Sequence, residues 1–151
     1  MRITGISRQS GEPPEYFNEK DQVLAAEQFD DCLPQSDFLI LALPATLQTN
    51  RILDARRIAL LPPHAAVVNV GRGNAIDEDA LASALLKGTL AGAYLDVFTE
   101  EPLPDSSPLR QAPNAFLFPH ASAIAPQYLD LFMEEFARRF EERYAKGVLT
   151  T

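Results

Sequence analysis

The sequence predicts an α/β fold in which a parallel sheet is flanked by helices. Five short apolar runs alternate with helical stretches along the 151-residue chain. The runs are continuous rather than alternating, which is typical of strands buried on both faces of a parallel sheet. They cover residues 2–7, 37–43, 65–70, 90–97 and 115–118. Strands alternating with helices in this way define the α/β class.

The best-defined helix follows the third apolar run. Asp77 is a suitable N-cap, and Glu78 and Asp79 place negative charge in the first turn, where the helix dipole favours it. Lys87-Gly88 is a typical C-terminal stop. One apolar stripe connects these ends, formed by Ala80, Leu81, Ala84 and Leu85. Together with the runs on either side, this helix predicts a βαβ crossover.

The last helix carries a stripe of large side chains at three- and four-residue steps. Its members are Leu129, Phe132, Met133, Phe136, Phe140 and Tyr144. On the polar side the spacing predicts the pairs Glu134–Arg138, Glu135–Arg139 and Glu142–Lys146. So many rings on one face predict burial against a partner surface. Before this helix, the proline-rich segment 101–113 is predicted to be a loop, neither helix nor central strand.

Length and composition limit the class of protein. The chain is long enough for one domain with a real core and too short for two ordinary ones. A formal charge of −8 argues against binding nucleic acid. No apolar run approaches the roughly 18 to 20 residues that cross a bilayer, and no leader opens the chain, so we expect no membrane association. The single cysteine, Cys32, is predicted to be a packing residue in the reducing cytoplasm, and two isolated histidines predict no metal site.

Polar side chains follow three of the predicted strands. Arg72 follows the third run, Asp96 and Glu101 follow the fourth, and His120 follows the fifth. The carboxyl ends of parallel strands share one edge of a sheet, which is where ligands bind in open α/β folds. There an arginine can form a bidentate contact with a substrate carboxylate, a histidine can exchange a proton with a hydroxyl or carbonyl oxygen, and a carboxylate can orient the imidazole.

Each of these residues also has a structural interpretation when it is taken alone. Arg72 then lies in a solvated loop, and Glu101 is a surface acid. His120 is a hydrogen-bonded structural histidine at a strand end, and Asp96 caps the turn that follows it. His64 has no functional neighbour in the sequence and is interpreted as structural. The functional interpretation therefore depends on the whole set in its order and spacing.

That ordered set resembles the D-isomer-specific 2-hydroxyacid dehydrogenase family. The matching segments are residues 68–73 (VNVGRG), 77–85, 95–98 (LDVF), 101–104 (EPLP) and 119–120 (PH) behind 113–114. The resemblance implies a Rossmann-like fold and three catalytic residues. Arg72 would bind the substrate carboxylate and polarise the keto group, Glu101 would pair with His120, and His120 would be the general acid/base.

The resemblance also implies which residues contact a nicotinamide cofactor. They are Ser7, Arg8, Leu43, Pro44, Val70, Gly71, Arg72, Asp96, His120, Ala121 and Ser122. We expect NADP to be favoured over NAD, because enzymes that use NAD place an acid after the second strand for the ribose 2′-hydroxyl. Here that strand ends Ser7-Arg8, with no acid before Glu12, and Arg8 can bind a 2′-phosphate. The alternative is that Arg8 is only a solvated strand-end charge.

The dinucleotide fingerprint G-x-G-x-x-G is absent from the sequence. Gly71-x-Gly73 continues to Ile76, where a third glycine is required. We therefore expect residues 1–151 to be a partial NAD(P)-binding domain that lacks its first βα unit and the substrate-binding domain. Without strand 1 of the 3-2-1-4-5-6 order, the first run pairs elsewhere, the gap closes by direct contact of strands 2 and 4, or a partner chain supplies the strand. Cofactor binding by the chain alone is expected to be weak, and we expect a homodimer or a partner that supplies the segment.

The function implied is an NAD(P)-dependent oxidoreductase. It would reduce a small 2-keto acid, such as glyoxylate or hydroxypyruvate, to the D-2-hydroxy acid. The related formate dehydrogenases have glutamine at the place of Glu101, so formate is a poor candidate substrate. The alternative is a non-catalytic Rossmann-like interaction module or an inactive remnant.

Overall fold

A computed structural model describes residues 1–8 and 12–145. The strands are β1 (Thr4–Ser7), β2 (Gln22–Ala25), β3 (Phe38–Leu41), β4 (Ala66–Asn69), β5 (Gly92–Leu95) and β6 (Ala115–Leu117). The α-helices are α1 (Phe29–Cys32), α2 (Ala55–Ile58), α3 (Glu78–Leu86) and α4 (Tyr128–Ala145). The chain divides into two units, Met1–Pro119 and His120–Thr151. None of the helices in the described ranges is long and apolar enough to span a membrane.

The first unit contains two parallel sheets. Strands β3, β4, β5 and β6 form one sheet in that order, and β1 pairs with β2 in the other. The predicted α/β class is confirmed, and so are all five predicted strands. Strand β2 is missing from the prediction, because its four residues, QVLA, begin with an exposed glutamine and offer only a short apolar run. Of the three pairings considered for the first run, the structure shows pairing elsewhere, with Thr4 opposite Gln22.

The entry into β1 and β2 is held by one buried acid. Asp21 accepts hydrogen bonds from the backbone N–H of Ile3 at 2.7 Å and of Asn18 at 2.9 Å. The hydrogen bond from Asn18, followed by that from Ile3, lowers the pKa of the Asp21 carboxyl. Asp21 therefore joins the start of β1 to the turn that precedes β2.

The four-stranded sheet buries one face. Val67, Ala93 and Leu95 point into the core, where Leu81 and Leu85 of α3 are also buried. The Asp77 side chain accepts from Ala80 N–H at 3.1 Å, and Gly88 ends the helix at a φ of 68°. The predicted cap, stripe and stop of α3 are therefore confirmed.

The other face of this sheet is exposed in the part of the chain that the structure describes. One register row contains Ile40, Val68, Tyr94 and Phe116. Ile40 is 64% exposed and Phe116 is 57% exposed. For the described residues, the expectation that these strands are buried on both faces is therefore wrong. A continuous apolar run indicates that both faces of a strand can be buried, but it does not indicate which element covers each face.

The proline-rich segment departs from the prediction at one turn. Residues Pro108–Gln111 form a 3-10 turn with a proline in its first positions, where the missing N–H removes no helical hydrogen bond. Arg110 then donates to the carbonyl oxygens of Leu103 at 2.6 Å and Pro104 at 3.0 Å. The expectation that no part of 101–113 is helical is therefore wrong at this turn.

Helix α4 belongs to the second unit. Its rings stack along one side, with centroid separations of 6.2 to 6.4 Å between neighbours. The predicted Glu135–Arg139 pair is present, but Arg138 contacts Glu135 and Glu142 rather than Glu134, because two carboxylates lie within reach of its guanidinium. Lys146 lies outside the described residues. The ring-bearing side chains are exposed in the single chain, and their burial against a partner surface stays a prediction.

Candidate active site

Four parallel strands end level at one edge of the larger sheet. Leu41, Asn69, Leu95 and Leu117 are the last residues of their strands, and they lie opposite one another in the register. The next residues continue the ladder: Val70 N–H donates to Leu41 O at 3.0 Å, and Asp96 N–H donates to Asn69 O at 3.0 Å. The loops that begin at Ala42, Val70 and Asp96 therefore all leave from the same edge. Asp96 is buried there.

Gly71 lies directly against the loop that follows β3. A Cβ atom on Gly71 would lie 2.5 Å from the backbone nitrogen of Leu43 and 2.6 Å from its carbonyl oxygen. No side chain fits at that separation, so glycine allows the two loops to touch through their backbones. Two of the predicted cofactor contacts, Leu43 and Gly71, are thereby neighbours.

Gly73 makes the corresponding contact on the other side. A Cβ atom there would lie 1.9 Å from the carbonyl carbon of Phe98 and 2.4 Å from the nitrogen of Thr99. Both glycines are buried, whereas Arg72 between them is exposed. The sequence Gly71-Arg72-Gly73 therefore holds an arginine between the loops that follow β3 and β5.

Asn69 fixes the backbone of this arginine. Its side chain is 1% exposed, and it accepts from Gly71 N–H at 3.1 Å while it donates to the carbonyl oxygen of Arg72 at 3.1 Å. Sequence analysis assigned no role to Asn69. The available signal was a buried amide at the last position of an apolar strand, because such a group requires hydrogen-bond partners.

The Arg72 guanidinium is only partly used within the chain. Its Nη1 donates to the carbonyl oxygen of Gly71 at 2.7 Å, and this is its one hydrogen bond among residues 1–8 and 12–145. A guanidinium has five N–H donors in a planar arrangement that matches a carboxylate. Arg72 therefore offers charge and donors to a small anion at the sheet edge.

The loop that follows β5 carries Glu101, which is exposed. Its Oε1 accepts from the backbone N–H of Phe98 at 2.9 Å, so the carboxylate turns back onto its own loop. Phe98 is buried and abuts Gly73. The structure thus brings the loops of Arg72 and Glu101 into direct backbone contact.

The loop that follows β3 is stabilised by short hydrogen bonds. Thr49 Oγ1 donates to the carbonyl oxygen of Pro44 at 2.6 Å. Arg51 N–H donates to Asn74 O at 2.7 Å and thereby joins this loop to the 3-10 turn Gly73–Ala75. Pro44 therefore lies in an ordered loop beside the Arg72 segment.

The remaining predicted residues are Ser7, Arg8, His120, Ala121 and Ser122. Ser7 ends β1 in the two-stranded sheet, and Arg8 after it is exposed. His120, Ala121 and Ser122 begin the second unit. His120 has a φ of 55°, a left-handed conformation that non-glycine residues rarely adopt and that is enriched at functional sites. The grouping of His120 with Arg72 and Glu101 stays a prediction.

The described residues also contain a histidine contact that lies away from this edge. His64 Nε2 lies 2.9 Å from Asp37 Oδ1, and both side chains are exposed, which agrees with a structural role. Within the described ranges no group of three or more His, Cys, Asp and Glu side chains has the arrangement of a metal site.

Comparison with known proteins gives a consistent result. Residues 1–122 match the family described as D-isomer specific 2-hydroxyacid dehydrogenase, NAD binding domain. The glyoxylate/hydroxypyruvate reductase B of Pectobacterium carotovorum is 43% identical over 115 residues, covering 71% of this chain and 36% of the relative. The reductase B of Pectobacterium atrosepticum is 43% identical, and 34% of it is covered. The chain therefore spans about a third of the length of these relatives.

Solved structures resemble the chain over almost its whole length. A D-isomer specific 2-hydroxyacid dehydrogenase family protein from Aeromonas salmonicida is 39% identical, with a TM-score of 0.77 over 97% of this chain and 45% of that one. An NADPH-dependent glyoxylate/hydroxypyruvate reductase from Sinorhizobium meliloti is 32% identical, with a TM-score of 0.72 over 93% of this chain and 55% of that one. These similarities agree with the parallel sheet and its level carboxyl edge.

Proposed function

The chain belongs to the D-isomer specific 2-hydroxyacid dehydrogenase family, whose NAD binding domain it matches, and on this premise we propose that it acts in the NAD(P)-dependent reduction of a small 2-keto acid to the D-2-hydroxy acid. Glyoxylate and hydroxypyruvate are the substrates proposed first, because the relatives compared above are named for them. The chain covers 36% of the Pectobacterium carotovorum relative and 55% of the Sinorhizobium meliloti structure, so the complete reaction is part of the proposal.

The observation that carries this proposal is the setting of Arg72. The side chain is exposed at the carboxyl edge of the sheet, between two buried glycines, and makes a single hydrogen bond among the described residues. An arginine held in this way can bind the carboxylate of a 2-keto acid and leave the adjacent carbonyl facing the cofactor.

The proton-transfer roles are proposed from the family resemblance. His120 donates a proton to the carbonyl oxygen as that oxygen becomes a hydroxyl, and Glu101 orients the imidazole and stabilises its charged form. Arg72 holds the carboxylate throughout and stabilises negative charge that develops on the oxygen. A bound nicotinamide cofactor would supply the hydride to the carbonyl carbon, and this hydride together with the proton from His120 would convert the keto group to the alcohol.

The sheet edge fits part of a dinucleotide. The rim of this edge is partly apolar and consists of Leu43, Pro44 and Val70. Because Gly71 has no side chain, its backbone lies directly against Leu43 and adds no side chain to the edge. Asp96 is buried beside this rim. No G-x-G-x-x-G sequence is present to hold a pyrophosphate, so we propose weak binding of NADPH by the chain alone. Low-micromolar affinity in a calorimetric titration would contradict that expectation.

The proposed activity is tested by NADPH oxidation with glyoxylate or hydroxypyruvate at saturating NADPH. We expect protein-dependent NADPH oxidation that forms an achiral hydroxy acid from glyoxylate and the D-hydroxy acid from hydroxypyruvate, and a loss of roughly 100-fold or more in kcat/KM for Arg72→Ala. His120→Gln is expected to lose about as much, through kcat. Absence of protein-dependent turnover with both acids would favour a non-catalytic module.

A self-associated state is proposed on a separate observation. The sheet face that contains Ile40, Tyr94 and Phe116 exposes all three of these large apolar side chains, and a contiguous exposed apolar patch marks an interaction site. We propose a homodimer that covers this face, in a cytoplasmic protein. Sedimentation equilibrium tests it: a monomer at micromolar concentration would contradict the dimer.

A further inference from the structure

The loop that follows β5 is held by two carboxylates from different parts of the chain. Thr99 N–H donates to Glu78 Oε1 at 2.6 Å, and the preceding amide, Phe98 N–H, donates to Glu101 Oε1 at 2.9 Å. Hydrogen bonds to an ionised acceptor are shorter and stronger than those between neutral groups. Two consecutive backbone amides are therefore fixed, one by the loop itself and one by α3.

Glu78 lies on a helix that packs into the hydrophobic core. It is the first residue of α3, directly after the N-cap Asp77, and Leu81 and Leu85 of the same helix are buried in the core. The side chain reaches outward from this position to the backbone of Thr99. The helix thus provides a rigid support from which one carboxylate holds a loop that has no regular secondary structure of its own.

Glu78 and Arg72 belong to one short segment of the chain. From Arg72 the backbone passes through the 3-10 turn Gly73–Ala75 to Asp77 and Glu78. Both ends of this segment contact the loop of Glu101: Gly73 abuts the Phe98 carbonyl, and Glu78 accepts from Thr99. The loop therefore has two fixed points on the segment that also carries Arg72.

We propose that Glu78 is a positioning residue, which fixes the Glu101 loop relative to Arg72 by accepting the Thr99 N–H. The role rests on the proposed function, in which Glu101 and Arg72 act on one substrate. Glu78 itself touches neither the substrate nor the cofactor. Its contribution is the orientation of the loop on which the Glu101 carboxylate lies.

Asp79 provides a matched control. It lies next to Glu78 in the first turn of α3, carries the same charge and is exposed. Both carboxylates interact favourably with the helix dipole. Among the described residues, only Glu78 of the two has a hydrogen bond to the Thr99 amide. Comparing Glu78→Ala with Asp79→Ala therefore separates the loop contact from the charge effect.

The test uses NMR of the chain without cofactor or substrate, so its outcome is independent of whether reduction is detected. In Glu78→Ala we expect the Thr99 and Phe98 amides to exchange with solvent roughly 10-fold faster or more. We also expect the acid titration of the Glu101 carboxyl carbon to shift its midpoint. Asp79→Ala should change neither, and Glu78→Gln should restore most of the protection, because its carbonyl oxygen still accepts.

Two results would overturn the proposal. One is unchanged exchange at Thr99 and Phe98 in Glu78→Ala; the other is equal effects of Glu78→Ala and Asp79→Ala, which would reduce the role of Glu78 to its charge at the helix terminus. A shift of the Glu101 titration that is restored in Glu78→Gln supports positioning, because general destabilisation of α3 would not produce it. Absence of turnover in the reductase assay would instead count against the proposed function.

Discussion

Substituting Gly73 by alanine tests the close approach on which the site geometry depends. The new Cβ would start 1.9 Å from the Phe98 carbonyl carbon, and ordinary contact begins at 3.4 Å, so the two backbones must separate by about 1.5 Å. Both groups are backbone, and neither can rotate away as a flexible side chain would. Overpacking in a core costs about 1–3 kcal/mol. We expect the upper end of that range, about 3 kcal/mol, because a whole loop must move.

The assay is urea unfolding of the chain, with two glycine controls. At a slope of about 2 kcal/mol per molar, the Gly73→Ala midpoint should fall by roughly 1.5 M. Gly5→Ala should leave the midpoint near wild type, because its Cβ meets nothing closer than 3.6 Å. Gly88→Ala meets no atom but keeps a φ of 68°, so it isolates the conformational cost of a left-handed residue, about 1–2 kcal/mol. A Gly73→Ala midpoint equal to that of Gly5→Ala would refute the close approach.

Three further outcomes are expected. Asn69→Ala should lower the free energy of unfolding by about 2–3 kcal/mol in urea titrations, because two hydrogen bonds of a buried side chain are lost. A change near zero would contradict the role of Asn69 in fixing the backbone of Arg72. Arg8→Asp should move cofactor preference in steady-state kinetics from NADPH towards NADH, and unchanged preference would remove Arg8 from the cofactor site. Arg138, followed by Arg139, lowers the pKa of Glu135 to about 2. Because the pKa of Glu135 in the folded chain lies below its ordinary value of 4.5, the stabilisation of α4 by Glu135 is complete above about pH 4.5 and is lost as pH falls towards 2. Circular dichroism from pH 6 to 2 should show a loss of helix in the wild type that is smaller in Glu135→Gln, and equal losses in both would contradict the contribution of the pair.

Local patterns predicted most of the first unit. Asp77, the apolar stripe of α3 and Gly88 each act within a few residues, so cap, body and stop can be read from the sequence. Five of the six strands are continuous apolar runs, and they form parallel sheets as their pattern predicts. The level ends of β3, β4 and β5 explain why Arg72 and Asp96, which follow two of these runs, lie at one edge of the sheet.

What the sequence missed depends on tertiary contacts. The hydrogen bonds of Asn69 and the hydrogen bond from Thr99 to Glu78 involve residue types that occur in many environments. Only the fold brings these partners together. Glu78 was interpreted as a first-turn acid, which it is, but its second role depends on the position of a loop 21 residues away. Strand β2 was missed because pairing with β1, rather than its own composition, makes it a strand.

The binding of a substrate carboxylate by Arg72 is tested most directly by titrating oxamate, an unreactive analogue of a 2-keto acid, into the chain with NADPH in excess. Following by NMR the backbone N–H signals of Gly71 and Gly73, which both proteins retain, we predict saturable shifts in the wild type and at least about tenfold weaker binding in Arg72→Lys, because lysine has no bidentate donor set. Arg51→Lys, an exposed arginine on the neighbouring loop, should bind oxamate as the wild type does. Equal affinity in Arg72→Lys and wild type would contradict the role assigned to Arg72.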